Sequence, residues 1–208
     1  MKIDRLKYEE ISLLATVYLK AFDDNEAYRY IFPSSKNESI KKFNDDGLLW
    51  LFERRLTMLL SNNALILVIK DDDGIILGGV GSIQTSQKPG FCGMLQHGLL
   101  LWPIYWGYDS LSRALELDGA IINEQDENEC DAKVFMMAIL PIHQGKGLGQ
   151  ALLDALIKQI DDEWQSKCIG LDTQRQINTN FYSKFDFVVT SDKYICGFRS
   201  WTMIRKKG

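Results

Sequence analysis

The sequence is short of the residues that build metal centres. It has two histidines and four cysteines. Cys92, Cys130, Cys168 and Cys196 are widely spaced with no Cys-x-x-Cys pair, so the clustered thiolates or imidazoles of a zinc site are missing. Cys168 and Cys196 stand in apolar runs and read as small buried residues. No Ser-His-Asp or Cys-His constellation can be assembled around His97 or His143. Positive charge is in deficit: 24 Lys and Arg against 28 Asp and Glu leave −4, which provides no basic face for nucleic acid. Long hydrophobic runs are absent too. The most apolar stretch, residues 98–106, falls short of the ~20 residues that span a bilayer and is interrupted by Pro103, with Gly107 following. The start, Met1-Lys2-Ile3-Asp4-Arg5, enters mixed charge rather than the apolar core of a signal peptide. These absences predict a cytoplasmic protein with neither a membrane nor a nucleic-acid partner.

What is present suits one domain. At 208 residues the chain buries about 70% of its unfolded surface and needs no staples. Ile11, Leu14, Ala15, Tyr18, Leu19 and Phe22 recur at helical spacing over 8–22, and a second helix is predicted over 38–60. Strands are predicted at 64–70 and 75–83, joined by Asp72-Asp73-Gly74. Gly78, Gly79 and Gly81 in the second strand imply a bulge or a close backbone approach. Two helices are expected near 91–104 and 108–125, then a polar linker at 124–129. The run 133–140 reads as a strand buried on both faces, followed by a helix over 147–163 and a strand from Cys168 to Thr173. A short helix over 178–184 and strands near 187–194 and 200–206 close the chain. The sum is an α/β or α+β domain with a βαβ unit at 133–173.

Between that buried strand and its helix lies Gln144-Gly145-Lys146-Gly147-Leu148-Gly149. A helix start exposes unpaired N–H groups and the positive end of the helix dipole, and glycines let an anion approach without a Cβ in the way. Lys146 in that turn opposes the dipole unless an anion docks there. A plain glycine-rich helix start is the alternative reading of the same residues. A Walker A loop fails, because Leu148 follows Gly147 where Lys-Ser/Thr is required. The dinucleotide fingerprint finds Gly145, Gly147 and the acid Asp172, but its third glycine position is Gln150. An NAD-type oxidoreductase therefore remains only as an alternative.

Gln144-x-x-Gly147-x-Gly149, after an apolar strand and opening a helix, resembles the acetyl-coenzyme A signature of the GNAT superfamily of N-acetyltransferases. Leu171-Asp172-Thr173 and the run Asn178-Thr179-Asn180-Phe181-Tyr182 to Phe187 resemble a further segment of that family, and Ser200 to Arg205 resembles the ending of its puromycin N-acetyltransferase-like branch. The match covers about 133–206, whereas the first 130 residues, the half that shapes the acceptor site in this superfamily, match only in the order of elements. The resemblance implies a single GNAT domain with a mixed, mostly antiparallel twisted sheet whose central strands splay to admit acetyl-coenzyme A. It implies direct transfer of acetyl in a ternary complex to an amine of a small molecule or peptide, without a metal. Ile139, Leu140 and Pro141 would lie along the pantetheine, Gln144, Gly145, Lys146, Gly147, Leu148 and Gly149 would hold the pyrophosphate, and Asn178 would sit near the pantetheine. Tyr182 would be the general acid for the departing thiolate, chemistry that suits a phenol.

Asp172 replaces the family's glutamate and stands as a candidate base against a structural role. Asp186 replaces a glycine, and aspartate tolerates the left-handed backbone. A non-catalytic acetyl-coenzyme A sensor would keep the glycine turn but would not need Tyr182. Neither the acceptor nor a homodimer can be read from these residues.

Overall fold

The computed structural model of the protein describes residues 1–87, 97–98, 101–125 and 130–207. Its centre is a seven-stranded sheet in the order β1-β2-β3-β4-β5-β7-β6. The strands are β1 (Lys2–Arg5), β2 (Leu65–Lys70), β3 (Ile76–Gln84), β4 (Ala132–Ile139), β5 (Cys168–Thr173), β6 (Val188–Ile195) and β7 (Phe198–Lys206). Every pairing is antiparallel except β4 with β5. One parallel pair cannot build a doubly wound nucleotide fold, so the NAD-type alternative falls.

Both faces of the sheet are covered. On one lie α1 (Ile11–Ala21), α2 (Glu26–Ile31), α3 (Glu38–Ser61), the short α4 (Trp102–Trp106) and α5 (Tyr108–Gln125). On the other lie α6 (Leu148–Glu163) and α7 (Gln176–Tyr182). Strand β2 shows why it reads as a continuous apolar run. Leu65, Leu67 and Ile69 enter the core under α6, while Ile66 and Val68 enter the core under α1 and α3. The expected helix at 91–104 and the linker at 124–129 lie mostly outside the described residues. Strand β1 and helix α2 were not expected. The first is a four-residue edge strand with polar ends, and the second is under two turns long.

The glycines of β3 do what their spacing implies. The pairing of β3 with β4 slips between Gly81 and Ser82, leaving Phe135 as an extra residue in β4, and any Cβ on Gly81 would collide with the Phe135 ring. A Cβ on Gly79 would stand 2.5 Å from Leu14 Cδ1, so α1 packs directly on the strand's backbone there. Past the bulge, β4 and β5 part. They pair only from Ala132–Ile169 to Val134–Leu171, although β4 continues to Ile139.

At the base of this opening Lys133 forms an ion pair with Asp172, and Thr202 Oγ1 donates to Asp172 Oδ1 over 2.9 Å. Below it, Cys130 and Cys168 are joined in a disulfide, a partner that the wide cysteine spacing did not disclose. Asp186, where the family has glycine, takes the left-handed conformation at φ 65°. Among the described residues no helix is long and apolar enough to cross a membrane.

Candidate active site

A cavity of about 580 Å³ opens where β4 and β5 diverge. One wall is the end of β4, Met137 to Ile139, and the floor is the glycine turn with the start of α6. Asn178, Phe181 and Tyr182 of α7 form the opposite wall, and Ala21, Phe22 and Asn25 reach in from the end of α1.

The glycine turn is built to leave backbone donors unspent. Gly145 and Gly147 sit at φ 74° and 79°, left-handed values that favour glycine. Gly147 is the N-cap of α6, and no side chain caps that helix. The N–H groups of its first turn therefore keep their capacity for an anion, with the dipole behind them. Gln144 braces the turn from its other end, its Nε2 donating to the Ile139 carbonyl over 3.0 Å. His143 lines the cavity, with Nδ1 3.4 Å from Lys146 Nζ.

Tyr182 is buried, 8% exposed, and packs edge-on against Phe181 and Phe187. Burial raises its phenol to about 12, so the group is protonated at neutral pH. Its hydroxyl points at the thioether of Met137, 3.9 Å away, which is a weak acceptor.

Ile139, Gln144, Gly145, Gly147, Leu148, Gly149, Asn178 and Tyr182 are thus gathered around one cavity. Asn178 Nδ2 bonds Thr173 Oγ1 over 2.9 Å, which fixes α7 against the end of β5. Leu140, Pro141 and Lys146 do not line the cavity. Leu140 N–H is committed to the Leu77 carbonyl, while Pro141 and Lys146 are exposed. Asp172 is not among the residues that line the cavity; its carboxylate meets Lys133 of β4 and Thr202 of β7. Sequence reasoning missed Phe22, Asn25, Met137 and Arg175, since nothing local marks a residue that meets the cavity only through tertiary packing.

Residues 112–189 match the model of the acetyltransferase (GNAT) domain. The chain is similar to GNAT acetyltransferases over this stretch. Its whole length superposes on proteins of that fold. The histone acetyltransferase HPA2 and related acetyltransferase of Corynebacterium glutamicum aligns with 100% of this chain and 96% of its own, at TM-score 0.67 and 16% identity. Arylalkylamine N-acetyltransferase 2 of Aedes aegypti aligns with 99% and 98%, at 0.63 and 12%. The PaiA N-acetyltransferase of Thermoplasma acidophilum, in complex with coenzyme A, aligns over 100% of both chains at 0.55 and 16%. No curated protein sequence matches the chain.

Proposed function

We propose that this domain transfers the acetyl group of acetyl-coenzyme A to an amine of a small molecule or peptide, directly and within a ternary complex. The observation that carries the reading is the Tyr182 hydroxyl, held on a sulfur in the same cavity as an uncapped helix start.

The residues suit each part of acetyl-coenzyme A. The turn from Gln144 to Gly149 and the first N–H groups of α6 would take the pyrophosphate, and Ile139 and Asn178 would flank the pantetheine. Bound there, acetyl-coenzyme A supplies an activated acyl carbon and a thiolate leaving group. Tyr182 donates its proton to the sulfur as the C–S bond breaks and the C–N bond forms. The proton shed by the nitrogen goes to water, from which Tyr182 is reprotonated.

The test is ligand-dependent melting. Acetyl-coenzyme A at about 100 times its Kd should add ~2.7 kcal/mol of stability, a rise of roughly 5–10 °C for a chain of this size, and NAD should add nothing. Release of coenzyme A with a panel of amines should follow. Stabilisation without release under any amine would identify a sensor, and no stabilisation by acetyl-coenzyme A would end the proposal.

A further inference from the structure

Asn25 is a buried polar residue, 9% exposed, and it lines the cavity. Its oxygen is already used. Asn25 is the N-cap of α2, and Oδ1 accepts the Tyr28 N–H over 3.2 Å. That bond fixes which end of the amide is which, because the cap needs an oxygen. Nδ2, with its two donors, has no protein partner among the described residues.

The loop that carries Asn25 is pinned on both sides. Asp23 pairs with Arg29 of α2, and Asp24 pairs with Arg175, which reaches across from the β5–α7 connection. Helix α1 packs on β4, and Ala21 and Phe22 share a core with Met136 and Ala138. Asn25 therefore comes to the cavity along the same stretch of β4 that carries Met137, the partner of the Tyr182 hydroxyl.

We infer that Asn25 is a further catalytic residue, whose Nδ2 donates to the acyl carbonyl oxygen as that oxygen gathers negative charge. The inference rests on the acetyl-transfer reading above. A neutral attacking amine needs its lone pair for the carbon, so a nearby N–H donor serves the oxygen rather than the nucleophile. A donor fixed in advance by a helix cap in a buried site needs little reorganisation when the charge develops. Tyr182 then serves the sulfur and Asn25 the oxygen, while no net proton passes through the amide.

Two substitutions separate this role from the capping role. Asn25→Ser and Asn25→Asp both keep a good N-cap for α2 and both remove the Nδ2 donor. Removing one such donor costs on the order of 10²–10³ in kcat. The expected result is that loss in Asn25→Asp, a smaller loss of at least tenfold in Asn25→Ser, an acetyl-coenzyme A Kd within about twofold of wild type and an unchanged melting temperature. Asn25→Ala, which loses cap and donor together, should lower both turnover and melting temperature. Wild-type turnover in Asn25→Ser overturns the inference and leaves acetyl transfer standing. A loss confined to acetyl-coenzyme A affinity also overturns it, because the amide would then hold the pantetheine arm. Absence of coenzyme A release by the wild type overturns both readings.

Discussion

Tyr182→Phe is expected to lower kcat by about 10²–10⁴-fold, the range for loss of a positioned general acid, and to leave acetyl-coenzyme A affinity unchanged. The ring stays in its pocket against Phe181 and Phe187, and the only bond lost is a hydroxyl on a thioether. Stability should hold within about 1 kcal/mol, since a neutral hydrogen bond contributes little more than that net. The pH profile offers a second check. Burial raises the phenol to about 12, so between pH 6 and 10 the acid is fully protonated and no alkaline fall in rate arises from it. The raised value also makes the neutral phenol a stabilising group. Its contribution is fully present below the ordinary tyrosine value of about 10 and is lost as pH rises towards 12, so the wild type should lose stability over that window relative to Tyr182→Phe. Stopped-assay kinetics, calorimetric binding and urea denaturation of the two proteins measure turnover, affinity and stability in turn. Equal turnover would remove Tyr182 from the chemistry.

Lys133→Met is expected to cost about 3–5 kcal/mol at neutral pH, the range for removing one partner of a buried pair. Lys133 and Asp172 side chains are 15% and 8% exposed, and their ion pair sits where β4 and β5 begin to part. Without the ammonium, Asp172 keeps the Thr202 hydroxyl but must carry its charge in a poor solvent. Urea denaturation of both proteins at pH 7.5 gives the comparison. A cost below 1 kcal/mol would show the pair to be dispensable.

The parts of the fold that the sequence disclosed are those whose signals are local. The glycine turn, α6 and β5 follow from apolar spacing and glycine chemistry within about forty residues, and Leu148–Glu163 lies where the periodicity puts it. The glycines of β3 announced a bulge, and Phe135 occupies it. Lys133 and Asp172 lie 39 positions apart on different strands, and no spacing rule links them. Asn25 reads as an ordinary turn residue before a short helix. Only the packing of α1 on the sheet brings it to the cavity. Asp172 stood out as an acid at a strand end near the glycine turn, but its ion pair with Lys133 had no local signal.

The close seat of α1 on β3 has a mechanical consequence. Leu14 rests against Gly79, and eleven residues further along the chain Asn25 enters the cavity. Helix α1 is about 16 Å long at 1.5 Å per residue, and it leads from its seat on Gly79 to the rim of the cavity. A methyl group at position 79 would lie 2.5 Å from Leu14 Cδ1 and 3.2 Å from the Leu67 carbonyl oxygen, so the Leu14 side chain or the helix that carries it must shift. A displacement near 1 Å at the far end can cost 10²-fold in rate. Gly79→Ala should therefore slow acetyl transfer, read as coenzyme A release, while the cofactor turn, on the other side of the sheet, binds acetyl-coenzyme A as before. The alignment of this active site is set in part by an atom that the third strand does not have.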